Sequence, residues 1–308
     1  MTMLPGNAAV EMTIIPRASD IGGFEVLRAL PFRDKRMVGP FIFWDEMGPG
    51  EFLSGQGVDV RPHPHIGLST VTYLFDGAMD HRDSLGTFQT ITPGDVNLMH
   101  AGSGIAHSER TGTAERAHPH RLAGVQSWVA QPYADEDKPA AFIHHGKAAL
   151  PVMDSEGILL RLVMGQGHYG LSSPVQTQWD TLYADVVLQA GAQLPVPKEV
   201  EERAIYVLSG EIEIGGTAYA PHQMLVLAPG KSATIKALSP VRLMVLGGAV
   251  MDGPRYIWWN FVSSRRDKIS DAAERWQART FAEVTGDEAE YIPLPGQPRL
   301  APIAGAKD

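Results

Sequence analysis

Two short patterns in this sequence contain the residue types of a metal site. The first is His63 and His65, which are separated by one residue and followed by a β-branched and aromatic run at residues 71–75. Alternate residues of a β-strand point to the same face of a sheet, so both imidazoles would project to one side. Two imidazoles on one face are half of a metal-binding set, and a second pair is needed to complete it.

The second pair is His107 and Glu109, which have the same spacing. Several short strands fit between the two pairs, and a closed barrel would let the pairs face each other across its interior. Three imidazoles and one carboxylate suit Fe(II), Mn(II), Ni(II), Cu(II) or Zn(II), and they resemble the two-histidine, one-carboxylate iron sites with one histidine added. The alternative is that these residues are surface positions in a chain with 11 histidines.

Two further groups of polar residues are interpreted as structural. A second His-Pro-His pattern, from His118 to His120, lies among charged residues without an alternating strand beside it, so we predict a loop there. Asp45 and Glu46 follow a dense apolar run at residues 41–44. Adjacent acids in this position are typical of a solvated strand end, and support of a metal site is the alternative.

Composition limits the classes of function. The chain has 308 residues, of which 44% are hydrophobic and 20% charged, and this mix is typical of a soluble globular protein. A net charge of −9, without a Lys/Arg cluster, disfavours direct binding to nucleic acid. The lack of cysteine excludes disulfides and thiolate metal sites. Without a signal peptide or a long apolar run, a cytoplasmic protein with no membrane contact is expected.

The rest of the chain predicts many short strands, because 32 Gly and 23 Pro punctuate short apolar runs. A weak internal repeat relates residues 73–77 (Tyr-Leu-Phe-Asp-Gly) to residues 206–210 (Tyr-Val-Leu-Ser-Gly). A second, looser match relates residues 92–95 to residues 220–223. We interpret the repeat as two copies of one β-barrel. A single helix is predicted at about residues 270–281 from its short apolar stripe.

Longer motifs give the sequence a specific likeness: it resembles the pirin family of the cupin superfamily. The likeness is strong over about residues 20–130 and weaker to about residue 285. The motifs are Asp45-Glu46, His63-Pro64-His65-X-Gly67, Thr70-Val71-Thr72-Tyr73-Leu74, Pro93-Gly94-Asp95, Ala101-Gly102-X-Gly104-Ile105, His107-X-Glu109 and Gln126-X-Trp128.

The resemblance implies an all-β fold of two cupin (jelly-roll) β-barrels packed in tandem, with a short C-terminal helix. It implies a metal-binding N-terminal barrel at residues 1–135 and a C-terminal barrel with helix and tail at residues 136–308. General cupin motifs place a Glu four or five residues after the second His, where this chain has Ser69 and Thr70. Glu109 would therefore be the sole carboxylate ligand. The metal ligands carried over are His63, His65, His107 and Glu109.

The internal repeat predicts that the second barrel lacks this site. Its counterparts of the four ligands are Val196, Lys198, Ile235 and Ala237. The alternative is a different site in that barrel, although a solvated acidic edge is the preferred interpretation. That site would be built from Glu199, Glu201, Glu202 and His222.

Pirin resemblance also implies a function of the quercetin 2,3-dioxygenase type. A mononuclear Fe(II), a flavonol and O2 would meet in the N-terminal barrel, and the central ring would open with loss of carbon monoxide. Glu109 would be both ligand and general base for the flavonol hydroxyl. The alternative is an iron-dependent, redox-sensing protein that regulates a transcription factor or a metabolic enzyme by protein–protein binding. Both functions use the same metal site, so the sequence does not separate them.

Overall fold

Antiparallel β-strands form most of the regular structure. A computed structural model of the chain describes residues 3–5, 8–21, 23–296 and 301–303, so the predicted tail at residues 293–308 lies partly outside the described residues. The strands of the first half are β1 (Met3–Pro5), β2 (Val10–Ile14), β3 (Arg17–Asp20), β4 (Glu25–Leu30), β5 (Phe41–Phe52), β6 (Asp59–His65), β7 (Leu68–Asp76), β8 (Met79–Asp83), β9 (Phe88–Ile91), β10 (Val96–His100), β11 (Ile105–Arg110), β12 (His120–Ala130) and β13 (Ala141–His145).

The second half continues in the same style and adds one long helix. Its strands are β14 (Val152–Ser155), β15 (Ile158–Met164), β16 (Gln166–His168), β17 (Leu171–Ser172), β18 (Thr181–Leu188), β19 (Gln193–Val196), β20 (Glu202–Ser209), β21 (Ile212–Ile214), β22 (Thr217–Tyr219), β23 (Gln223–Leu227), β24 (Ala233–Ala237), β25 (Val241–Gly248), β26 (Arg255–Trp258), β27 (Phe261–Ser263) and β28 (Ala301–Ile303). The helices are the short α1 (Thr113–Arg116) and the longer α2 (Arg266–Gln277).

The described chain divides into two compact units, each assembled from separate segments. Unit 1 contains residues 1–17, 27–42 and 148–251, and unit 2 contains the three segments 18–26, 43–147 and 252–308. The sequence-based division between residues 135 and 136 stays a prediction. Unit 2 thus includes residues from the C-terminal part of the chain, and these residues bear on its site.

Each unit contains a large and a small antiparallel sheet. Unit 1 has the eight-stranded sheet β1-β2-β23-β20-β25-β18-β15-β14 and the four-stranded sheet β19-β24-β21-β22. Most of the seven-stranded sheet β13-β10-β7-β12-β5-β4-β3 lies in unit 2, together with the four-stranded sheet β6-β11-β8-β9. The predicted all-β class is therefore confirmed. Strand β24 alternates buried and exposed residues, as a strand with one solvated face does.

Two pairs of turns repeat between the halves, as the sequence repeat predicts. Gly77 follows β7 and Gly210 follows β20, and both have a positive φ of 77°. The second pair is Gly94 and His222, which also have positive φ, at 88° and 57°. Turns in the same left-handed conformation at matched positions agree with the repeat in the sequence.

Helix α2 belongs to unit 2 and packs its apolar stripe on that unit. The helix runs from Arg266 to Gln277, one turn before the predicted span of residues 270–281. Its buried side chains pack with Ile66 and Phe261 in one core cluster. The buried residues of the helix are Ile269, Ala272, Ala273 and Trp276. Neither helix in the described residues is long and apolar enough to span a bilayer.

Candidate metal centre

Three neighbouring strands of the four-stranded sheet carry the candidate ligands. Strand β11 pairs with β6 on one side and with β8 on the other. His107 lies directly opposite His63, so the two pairs meet as cross-strand neighbours. The expectation that they face each other across a barrel interior is wrong, because β6 and β11 share hydrogen bonds in one sheet.

Three imidazoles converge at this point. The ligand atoms of His63, His65 and His107 lie within 4.8 Å of one another, and all three residues are buried. The Nε2 atoms of His65 and His107 are 3.1 Å apart. Nitrogen lone pairs directed at a common point provide the donor set of a transition-metal ion.

Backbone carbonyls orient two of these imidazoles. The Nδ1 atom of His63 lies 2.9 Å from the carbonyl oxygen of Arg61, and Nδ1 of His65 lies 3.1 Å from that of Asn260. A carbonyl only accepts hydrogen bonds, so each Nδ1 carries the proton and each Nε2 keeps its lone pair. Both rings are therefore set as neutral Nε2 ligands.

Glu109 is held beside the three imidazoles by polar neighbours. Its Oε1 accepts a hydrogen bond from the side-chain amide of Gln126 at 2.7 Å and a longer one from the Thr72 hydroxyl at 3.4 Å. Glu109 forms a second potential metal-binding group with His81 and His107. His107 thus belongs to both groups of potential ligands.

His81 and Asp83 were missed as site residues from the sequence. They lie on β8, and the register places His81 opposite Glu109 and Asp83 opposite His107. The signal was present, because the two polar residues are alternate positions of a short strand whose alternate residues are buried. The other missed contributor, Asn260, acts through its backbone carbonyl and has no side-chain signature.

Burial governs the protonation of the three imidazoles. Desolvation lowers the pKa of His63, although the Arg61 carbonyl and the Glu109 carboxylate oppose this effect. Desolvation, followed by the neighbouring histidines, holds the pKa values of His65 and His107 well below the ordinary value of histidine. All three rings are thus neutral near pH 7, which is the form that binds a metal.

The remaining polar residues singled out from the sequence lie elsewhere or differ from expectation. Asp45 and Glu46 are buried inside β5, so a solvated strand end is wrong for them: the strand continues to Phe52. His118 lies outside the strands and helices, whereas His120 begins β12 and stacks on Phe52. The predicted loop at residues 118–120 therefore holds for its first residues only.

In unit 1, three of the four counterparts of the ligands lie in an apolar core. Val196, Ile235 and Ala237 belong to its core cluster, and Lys198 is exposed. The acidic alternative is not assembled among the described residues: Glu201 accepts from the Val250 N–H group. Glu202 accepts from Lys35 and from the Gly39 N–H group.

Comparison with known sequences identifies both halves of the chain. The profile described as Pirin matches residues 23–129, and the profile described as Pirin C-terminal cupin domain matches residues 183–282. A Pirin-like protein from Caulobacter vibrioides is 45% identical over 289 residues, which are 93% of this chain and 99% of the relative. The predicted two cupin domains, with a short helix near the C-terminus, are confirmed.

Solved structures with the same fold include one from a named enzyme. The crystal structure of a quercetin 2,3-dioxygenase from Acinetobacter baumannii has a TM-score of 0.85 and 32% identity, and the match covers 94% of this chain and 97% of that one. A bacterial pirin from Escherichia coli, solved in complex with nickel(II), has a TM-score of 0.61 and 20% identity, over 77% of this chain and 99% of that one. The second match shows likeness of fold alone.

Proposed function

Because the chain belongs to the pirin family, we propose that it is a metal-dependent dioxygenase that opens the central ring of a flavonol at a mononuclear Fe(II) site. The observation that carries the proposal is the convergence of three buried, neutral imidazoles in unit 2. The name of the Acinetobacter structure, which is 32% identical to this chain, supports the reaction class.

The residues present fit such a metal ion. His63, His65 and His107 would supply three nitrogen ligands, and Glu109 would supply the carboxylate. When bound, the ion would supply a Lewis acid for the flavonol oxygens and a redox partner for O2. The same donor set suits Mn(II), Ni(II), Cu(II) and Zn(II), so Fe(II) is the part of the proposal to be tested against them.

Glu109 is proposed to accept the proton of the flavonol hydroxyl. A general base must lie within hydrogen-bond reach of the proton that it removes, and its carboxylate needs a fixed direction. The Gln126 amide and the Thr72 hydroxyl supply that direction by hydrogen-bonding to Oε1. We therefore assign the other carboxylate oxygen, Oε2, as the atom that accepts the proton of the flavonol hydroxyl.

A buried aromatic pair lies beside the imidazoles. The rings of Phe43 and Trp128 stack with their centroids 4.0 Å apart, and Trp128 lies edge-on to His65 at 5.2 Å. Both side chains are buried, so this side of the imidazoles is lined with apolar atoms, which an aromatic substrate favours. In the proposed reaction one flavonol and one O2 give one ring-opened ester and one carbon monoxide, with both oxygen atoms retained in the products.

The experiment is anaerobic reconstitution with Fe(II), addition of a flavonol, and then measurement of O2 uptake and carbon monoxide release. We expect equimolar O2 and carbon monoxide. Glu109→Gln is expected to retain some metal and to lose about 10²–10⁴-fold in turnover per bound metal ion, because the amide cannot accept the proton. Full activity of Glu109→Gln would show that Glu109 is not the general base. O2 uptake only with a metal other than Fe(II) would exclude Fe(II) as the metal of the reaction.

The same experiment separates the enzyme from a regulator. Absence of O2 uptake with every flavonol tested, together with Fe(II)-dependent binding of a protein partner, would overturn the dioxygenase. It would favour the alternative of an iron-dependent protein that acts by protein–protein binding.

A further inference from the structure

The three candidate imidazole ligands are not oriented in the same way. His63 and His65 each donate Nδ1–H to a backbone carbonyl. The Nδ1 atom of His107 instead faces the Nδ1 atom of His81 at 3.4 Å. The tautomer of His107 therefore depends on another titratable side chain, whereas the tautomers of the other two rings depend on the main chain.

His81 is itself held on three sides. Its Nε2 lies 3.0 Å from Oδ2 of Asp83, and its ring stacks on Phe142 with the centroids 4.4 Å apart. The second oxygen of Asp83, Oδ1, accepts hydrogen bonds from the N–H groups of Leu85 at 2.9 Å and Thr87 at 3.0 Å. Asp83 is fully buried, so these contacts hold the carboxylate in place.

We propose that Asp83 and His81 are positioning residues, which fix His107 with its proton on Nδ1 and its Nε2 free for the metal. The carboxylate can only accept, so Nε2 of His81 carries the proton and Nδ1 of His81 is an acceptor. A proton on Nδ1 of His107 then has an acceptor in Nδ1 of His81, 3.4 Å away. The other position, Nε2, faces Nε2 of His65 at 3.1 Å, so a proton there would occupy the point where the proposed metal binds. Because the benefit is to metal binding, the inference rests on the proposed metal site.

A role of His81 as a further ligand is the competing explanation, because His81, His107 and Glu109 form the second potential metal-binding group. The contacts favour positioning: Asp83 engages Nε2 of His81, and His107 engages Nδ1. A ring with both nitrogens engaged has no lone pair to give to a metal.

The hydrogen bonds that run from Asp83 through His81 to His107 are called the relay here. The substitution Asp83→Asn tests the relay by reversing the direction of its hydrogen bonds. The N–H groups of Leu85 and Thr87 retain the amide oxygen, so the amide nitrogen faces His81 and donates to its Nε2. Nδ1 of His81 then becomes the donor, and His107 is left with its proton on Nε2, toward the metal position. We expect about a 10–100-fold weaker affinity for Fe(II), measured anaerobically by chelator competition.

Two variants of His81 separate positioning from ligation. His81→Gln can donate to Asp83 and accept from His107, so we expect its Fe(II) affinity to stay close to that of the native protein. His81→Phe retains the stacking on Phe142 but removes both nitrogens, and we expect a loss like that of Asp83→Asn. A loss in His81→Phe as complete as in His107→Phe would make His81 a ligand and overturn the proposal.

A second readout does not require metal or activity. In ¹⁵N NMR of the metal-free protein, we expect His107 to be protonated on Nδ1, and on Nε2 in Asp83→Asn, with His63 and His65 unchanged. Asp95→Asn is the matched control, because Asp95 is a buried carboxylate that holds a turn through Thr92. Should Asp83→Asn not fold, the native spectrum decides: a proton on Nε2 of His107 overturns the relay.

The outcomes also distinguish this inference from the proposed function. Failure of the native protein to bind Fe(II) would contradict the proposed metal site, whatever the tautomer of His107. Equal Fe(II) affinities of the native protein and Asp83→Asn would overturn the positioning role of Asp83 and His81, while the proposed metal site would stand.

Discussion

At the scale of single residues, His63, His65 and His107 come together because strands β6 and β11 pair side by side. The alternate positions of His63 and His65 were informative because β6 is a strand through both. The alternation of buried residues in β8 was visible, but it does not show that β8 pairs with β11, so His81 was missed. Asp45 was predicted to lie at a strand end because it follows an apolar run. It lies inside β5, which continues past it to Phe52.

Acidification is expected to destabilise the metal-free protein between pH 7.5 and 5.5. The unfolded chain binds protons at its histidines near their ordinary pKa of about 6.5, whereas burial lowers the pKa values of His63, His65 and His107 in the folded state. The unfolded state therefore binds more protons, and stability present above pH 6.5 is lost as the pH falls. Each ring contributes a slope of at most about 1.4 kcal/mol per pH unit.

Urea unfolding at several pH values measures this slope. His65→Phe should flatten the dependence of the unfolding free energy on pH, because the buried titratable ring is gone. The exposed His118 provides the control, and His118→Ala should leave the slope as in the native protein. A pH-independent unfolding free energy would show that the three rings are not desolvated as described.

At the scale of elements, the turns were easier to predict than the lengths of the strands. The repeated Gly77 and Gly210 mark matched turns, because both take a left-handed conformation. The run at residues 41–44 was predicted as a short strand that ends at Asp45 and Glu46. Strand β5 runs through both, to Phe52, because tertiary pairing in the seven-stranded sheet outweighs local propensity.

Two glycines of unit 1 allow a matched test of turn geometry. Gly210 and Gly216 have nearly the same φ, 77° and 79°, but differ in their surroundings. A Cβ on Gly210 would lie 2.2 Å from the carbonyl oxygen of Pro240, whereas a Cβ on Gly216 has nothing within 4 Å. We expect Gly216→Ala to cost about 1 kcal/mol from backbone strain alone.

Gly210→Ala must also displace the Pro240 backbone, so we expect a total cost of about 3 kcal/mol. The difference between the midpoints of urea unfolding, at an unchanged m value, measures it. Equal costs for the two alanine variants would mean that the Pro240 carbonyl does not restrict the turn.

At the scale of the whole molecule, the assembly of each unit from distant segments is the least predictable feature. Residues 252–308 belong with residues 43–147 in unit 2, although residues 148–251 of unit 1 lie between them in the chain. The carbonyl of Asn260 is consequently the hydrogen-bond partner of His65, 195 positions away in the chain. Hydrophobic periodicity is local and carries no information about such a return of the chain.

Metal binding should therefore protect both parts of unit 2 from hydrogen exchange. A ligand that binds only the folded state stabilises it by about 2.7 kcal/mol at a concentration of 100 times its dissociation constant. On addition of Fe(II) under anaerobic conditions, we expect slower exchange in peptides from β6 and β11 and in the peptide that contains Asn260. Peptides from β18 and β25, in the apolar core of unit 1, should respond least.

The double variant His63→Ala/His65→Ala, which lacks two proposed ligands, should show no change in hydrogen exchange with Fe(II) in any peptide. Protection confined to β6 and β11 would mean that the carbonyl of Asn260 does not orient His65, and that the C-terminal segment contributes packing but no part of the site.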